Sequence, residues 1–108
     1  MASYLLIESR DPFESRGFAQ RSELATALAA DGAAVTIFLL ENAVLASRSA
    51  ARVRELDKFA KAGVRVLADE FSLRERGIGS EQIAATVKAV PIGTLVEELV
   101  AGAKAIWN

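Results

Sequence analysis

The segment 65-RVLADEFSLRERGIG-79 starts apolar, turns charged and closes on two glycines, as a buried strand does when it hands over to a loop and helix in an α/β protein. Asp69 sits at the hand-over, with Glu70 and Ser72 beside it. The chain has no cysteine and no histidine. These absences remove thiolate chemistry, the side chain that titrates nearest neutrality, and almost every zinc, copper or haem site. Carboxylate, hydroxyl, Lys, Arg, Tyr and backbone chemistry remain. Carboxylates could hold a hard cation, but no Ca²⁺-loop spacing occurs, and neither a cofactor nor a metal is expected.

An aspartate ending a third strand is the phosphoacceptor of a response-regulator receiver. On that reading Asp69 takes the phosphoryl group, with Glu8 and Asp11 as candidate Mg²⁺ ligands. A receiver has adjacent acids directly after its first strand and a Lys-Pro pair after its fifth. Here Glu8 and Asp11 stand three apart and Lys104 precedes the last strand. The segment Gly77-Ile78-Gly79-Ser80 precedes a predicted helix whose free amides could hold an anion. It lacks the dinucleotide fingerprint, does not follow the first strand and has no P-loop lysine, so a helix stop and an N-cap explain it.

The elements that must position these residues follow from periodicity. Short apolar runs at 4–7, 34–40 and 64–68 predict strands covered on both faces. Strands are also expected at 88–92, with Pro91 at a strand end or on an edge, and at 104–108. Helices are predicted over 15–30, with Phe18, Ala25, Leu28 and Ala29 on one face, and over 51–62, with Val53, Leu56, Phe59 and Ala60 inward. Ser72 and Glu75 have capping-box spacing for a short turn closed by Gly77. Ser80 can cap a helix carrying Ile83, Ala84 and Val87, and Thr94 with Glu97 a helix turning Val96, Leu99, Val100 and Ala103 inward. This alternation predicts a single α/β domain over 1–108, a three-layer α/β/α arrangement around a five-stranded, mainly parallel sheet of the flavodoxin-like type.

In such sheets ligands bind at the carboxyl ends of the strands. Those ends carry Glu8, Ser9, Arg10 and Asp11 after the first strand, Glu41 and Asn42 after the second, Asp69 to Ser72 after the third, and Gly93-Thr94 after the fourth. Any open α/β sheet places polar residues there, so each position taken singly is equally explained by topology. The loops after the first and third strands are expected to share one pocket, with Asp69 a polar member paired to Arg10, Arg74 or Arg76 or holding an anionic ligand beside them.

The order of elements, the run 35-VTIFLLENAV-44 and the run 63-GVRVLADEFSLRERGI-78 resemble the DsrE/DsrF-like proteins, which include subunits of bacterial sulfur-relay complexes. The matching residues are Gly32, Val35, Phe38, Glu41, Asn42, Gly63, Val64, Arg76, Gly77 and Ile78, and the likeness spans nearly the whole chain. It implies the DsrE-like fold, trimeric or hexameric assembly, and a site at the loop before Arg76-Gly77-Ile78. Counting back from those three, the position of the family's persulfide cysteine falls on Asp69, and a second, sometimes cysteine, falls on Ser72. A carboxylate forms no stable persulfide, and a serine with no histidine base has little means of activation. The expectation is a non-catalytic, oligomeric binding subunit, for a sulfur-relay partner or a small anionic ligand. Its ligand-binding candidates are Ser9, Arg10, Asp11, Glu41, Asn42, Asp69, Ser72 and Arg76. The competing expectation is an Asp69 phosphoacceptor or another carboxylate-based enzyme.

With 13 basic and 14 acidic residues the formal charge is −1, so no overall field favours nucleic acid or an anionic membrane surface. The 52% apolar content, rich in alanine, suits close helix packing in an assembly and equally an alanine-rich core. Met1-Ala2-Ser3 leads straight into a strand-length apolar run without a basic or signal-like segment, and no run approaches membrane-span length, so a soluble cytoplasmic protein is expected.

Overall fold

The continuous apolar runs form the middle of a parallel sheet. The computed structural model describes residues 2–107. Its order is β1 (Ser3–Glu8), α1 (Gly17–Ala30), β2 (Ala34–Leu39), α2 (Arg54–Ala62), β3 (Arg65–Asp69), α3 (Glu70–Glu75), β4 (Val87–Val90), α4 (Gly93–Val100) and β5 (Lys104–Trp107). Short 3₁₀ segments occupy Glu41–Ser47, Ser49–Ala51 and Ser80–Gln82. The five strands lie in the order β4-β3-β2-β1-β5, and every pair is parallel. Asn108, the end of the expected 104–108 strand, lies outside the described residues. Pro91 directly follows β4, an edge strand, where its missing amide leaves no ladder bond unmade.

This order fixes the layers. From β1 to β4 the chain steps one strand at a time in one direction, and right-handed crossovers put α1 and α2 on the same face. The last connection carries the chain from edge β4 back to the opposite edge, so α4 covers the other face. Leu6, Ile37 and Val66 meet Phe18, Leu56 and Phe59 in the first core. Phe18 and Phe59 stack edge to face with centroids 6.3 Å apart. Leu5, Ile7, Phe38, Leu67 and Val90 meet Leu95 in the second. Among the described residues no helix is long and apolar enough to cross a membrane.

Three expectations are corrected. The helix predicted from Ala51 begins only at Arg54, because Arg52 takes a left-handed conformation (φ 49°) that a right-handed helix cannot contain. The helix predicted after Ser80 is one 3₁₀ turn. Ile83 is extended and bridges Arg48, the Ala84 amide donates to the Ser47 carbonyl at 2.8 Å, and Val87 opens β4. Pairing to the preceding 3₁₀ segment has replaced helical bonds.

The third correction concerns α4. Its expected inward residues Val96, Leu99 and Val100 are exposed, Val100 at 83%, and Leu95 is its buried residue. Glu98, one turn after Leu95 and so on the same side of the helix, is ion-paired with Arg65, which also donates from Nη2 to Thr36 Oγ1 at 2.9 Å. The Leu95–Glu98 side is therefore held against the sheet, and the apolar residues between face out. Thr94 caps nothing, since the helix N-cap is Ile92 and no side chain caps it.

Phe59 is fully buried between α1, α2 and the sheet. Replacing it with alanine removes an aromatic pair and leaves a cavity, so Phe59→Ala is expected to lower stability by about 3–5 kcal/mol. Urea unfolding followed by circular dichroism measures this, and a loss under about 1 kcal/mol would contradict the packing described.

Candidate functional site

β3 runs into α3 with no intervening loop. Glu8, Leu39 and Ala68 lie abreast across β1, β2 and β3, so the chain leaves all three strands at one edge of the sheet. The first amides of α3 need an acceptor, and Asp69, the last strand residue, supplies it as N-cap. Its Oδ2 accepts from the Ser72 amide at 3.1 Å and from Ser72 Oγ at 2.7 Å. Ser72 Oγ in turn accepts from the Glu41 amide at 2.9 Å. Glu41 is held there in a left-handed conformation (φ 51°), uncommon for a residue with a side chain.

Arg76 closes the arrangement from the other end of α3. It donates from Nε and Nη2 to Asn42 Oδ1 at 3.2 and 3.0 Å, and from Nη1 to the Ser72 carbonyl at 3.1 Å. Gly77 has φ 66°, the reversal that lets the Ile78 amide reach the Leu73 carbonyl at 2.9 Å and buries Ile78. Arg76-Gly77-Ile78 is thus a tie to the β2 loop, a helix stop and a core anchor.

A separate cavity of about 280 Å³ opens beside this network, lined by Ser9, Arg10, Asp11 and Asn42 with Glu14 and Ser15. The structure brings Ser9, Arg10, Asp11 and Asn42 together there. It gathers Asp69, Ser72, Asn42, Arg76 and the Glu41 backbone in the network, and Asn42 belongs to both. The expected single pocket with Asp69 as a member is therefore corrected. Asp69 is 6% exposed and does not line the cavity, because capping turns it into the start of α3. Nor does it pair with an arginine. Ser72 takes the role assigned to Arg10, Arg74 or Arg76, and Oδ1 of Asp69 is buried with no hydrogen-bond partner among the described residues. The Ser72–Glu75 capping box is likewise replaced by the Asp69 cap.

Glu8, weighed as a Mg²⁺ ligand, is held elsewhere. It lies on the α1 face, 2% exposed, and Arg21 Nε donates to both carboxylate oxygens at 2.5 and 2.6 Å. Burial pushes the Glu8 carboxyl above its usual range, outweighing the hydrogen bond and charge of Arg21, which act the other way. Arg21 packs over Gly17, where a Cβ would collide with the guanidinium. Asp11 Oδ1 accepts from the Phe13 amide at 2.9 Å. Among the described residues no group of three or more carboxylates is placed to hold a metal ion. Sequence reasoning missed Arg21. Its only signal was the acid ending an otherwise buried strand, which requires a cation from the element packed above it.

The architecture defines a class, three-layer α/β proteins with a five-stranded all-parallel sheet in which one helix covers the second face. Within it the chain shares its fold with the YchN protein of E. coli, with a TM-score of 0.90 over 100% of both chains at 18% identity. It also matches MTH1491 of Methanobacterium thermoautotrophicum (0.80, 20% identity, 99% and 98% covered) and BT1422 of Bacteroides thetaiotaomicron (0.81, 17%, 98% and 94%), both described as proteins of unknown function. No protein-family model and no curated protein matches the sequence. At these identities the likeness establishes the fold, which is DsrE-like and cysteine-free.

Two outcomes test this geometry. Asp69→Ala is expected to lower stability by about 1–3 kcal/mol, through loss of the cap and an unsatisfied Ser72 hydroxyl. Asp69→Asn, which keeps a capping oxygen, should lose less, and equal losses in thermal unfolding would discount the cap. For Glu8 the folded-state pKa is raised, so its contribution to stability is full below the unfolded value, near 4.5, and is lost as pH rises through the folded value. Relative to Glu8→Gln, the wild type should therefore become less stable as pH rises above about 4.5, and the opposite slope in urea titrations would refute the assignment.

Proposed function

We propose that this chain is a non-catalytic, DsrE-like oligomeric subunit of the cytoplasm that binds rather than transforms. Its partner would be a sulfur-relay protein or a small anionic ligand at Arg10 and Asn42. The observation that carries the reading is the state of Asp69. Where the resembling family carries its persulfide cysteine, this chain has a buried carboxylate engaged as a helix cap, and Ser72, at the second position, has its hydroxyl bonded on both sides. Neither group is exposed enough to act as a nucleophile.

The outer side of α4 supports assembly. Ile92, Val96, Leu99 and Val100 expose apolar surface along one short segment. Trp107 of edge strand β5 is 64% exposed and, paired with Ile7, lies on the same face of the sheet. A small monomer rarely leaves so many large apolar side chains together in water, and such patches mark contact surfaces. The matched fold leaves the second face with one helix, so a second copy would complete the cover.

Light scattering at tens of micromolar protein should give a mass three or six times 11.5 kDa. Val100→Glu should reduce that mass without loss of helical signal, and a wild-type monomer would overturn the assembly. Incubation with a persulfide donor should leave no bound sulfane sulfur. With acetyl phosphate and Mg²⁺ the intact mass should stay unchanged, and a phosphoryl gain abolished in Asp69→Asn would replace this reading with a phosphoacceptor.

A further inference from the structure

A concavity lies away from Asp69, between the starts of α1 and α2. It has a volume of about 430 Å³, within the range of small-molecule sites. Arg16, Arg52, Arg54 and Lys58 line it, and Glu55 is the one acid among its lining residues. A chain of net charge −1 thus gathers 4 of its 13 cations around one cavity. Two other arginines at this edge are held structurally, Arg21 by Glu8 and Arg76 by Asn42. The side chains of Arg16, Arg52, Arg54 and Lys58 make no hydrogen bond or ion pair among the described residues.

The arrangement is unfavourable without an anion. Arg54 and Lys58 stand four apart on α2, a like-charge pair that weakens a helix by a few tenths of a kcal/mol. Arg52 holds a left-handed conformation that glycine would adopt more easily. Arg16 faces them from the start of α1. Neither α1 nor α2 has a side-chain N-cap, so both helix ends add positive potential to that of the side chains. At the rim, Phe13 exposes 59% of its surface, in a loop fixed by its amide's bond to Asp11 and by the Glu14 and Ser15 amides donating to the Asp11 carbonyl.

We propose that this cavity is a binding site for a diphosphate group, gripped between Arg16 on one side and Arg52, Arg54 and Lys58 on the other. Cations on opposite walls suit an anion with charge on more than one centre, and guanidinium forks match phosphate oxygens. The site adjoins the cavity at Arg10 and Asn42 across Ser15, which lines both, and does not depend on the fate of Asp69. The group could arrive as inorganic pyrophosphate or on an organic carrier whose ring stacks on Phe13.

Calorimetric titration of the full-length protein with pyrophosphate, ADP and orthophosphate tests it. Pyrophosphate or ADP is expected to bind at least about ten-fold more tightly than orthophosphate, and more weakly as salt is raised. Arg52→Gly, which also relieves the backbone, and Lys58→Glu should each weaken binding about ten-fold or more, the scale of one charge-assisted contact, while Arg74→Ala, outside the cavity, leaves it unchanged. A ten-fold preference for ADP over pyrophosphate that Phe13→Ala removes identifies an organic diphosphate as the occupant, and equal affinity identifies the inorganic one. No heat with either at millimolar concentration, or the same affinity in wild type, Arg52→Gly and Lys58→Glu, would overturn the proposal.

Discussion

The cap that Asp69 places on α3 is the constraint around which the carboxyl edge of the sheet is organised. A helix that starts on the last residue of a strand has no loop from which to draw acceptors for its first amides, so the strand must supply one. Aspartate does so by bonding the Ser72 amide and hydroxyl together. The hydroxyl can then receive only from outside, and what it receives is the Glu41 amide. This ties the β2 loop to α3 and brings Asn42 within reach of Arg76. A cysteine could not accept these bonds with comparable strength, since sulfur is a weak acceptor. Reactivity and capping are competing uses of one position, and this chain has the residue suited to the second.

The central strands were legible because burial on both faces leaves a continuous apolar run that no loop imitates. Val35 to Leu39 and Val66 to Ala68 are buried throughout. The carboxyl-end loops could be located for the same reason, since parallel strands all end on one side. Contacts within those loops were not legible. Whether Asp69 turns outward to a ligand or inward to its own helix depends on whether β3 and α3 are separated by a loop, and one residue of boundary decides it. Ser72 with Glu75 satisfied the same capping pattern three residues on, and spacing alone does not rank two overlapping caps.

α4 departs from its own hydrophobic pattern. Its apolar positions predict burial against the sheet, as in a helix whose burial is decided by hydrophobicity alone. Here Glu98, one turn after Leu95, pairs with the half-exposed Arg65, which also bonds Thr36 Oγ1. Leu95 and Glu98 mark the inward side of the helix, and Val96, Leu99 and Val100 stay exposed. The pattern therefore records two surfaces, one inside the fold through Leu95 and one outside it through Val96, Leu99 and Val100.

The distribution of cations follows the same division. Arg21, Arg65 and Arg76 each stand at a junction between elements, and each is held by an acid or an amide oxygen. Their partners come from distant parts of the chain, so they act as fasteners whose loss would leave a buried acceptor unmatched, as at Glu8. Arg16, Arg52, Arg54 and Lys58 fasten nothing, although they flank the same crossovers. A sheet whose first two helices both begin at its carboxyl edge already concentrates positive potential there. Adding unpaired cations to that edge lowers stability, so neutrality of the whole chain does not account for their placement, whereas a polyanion held between α1 and α2 does.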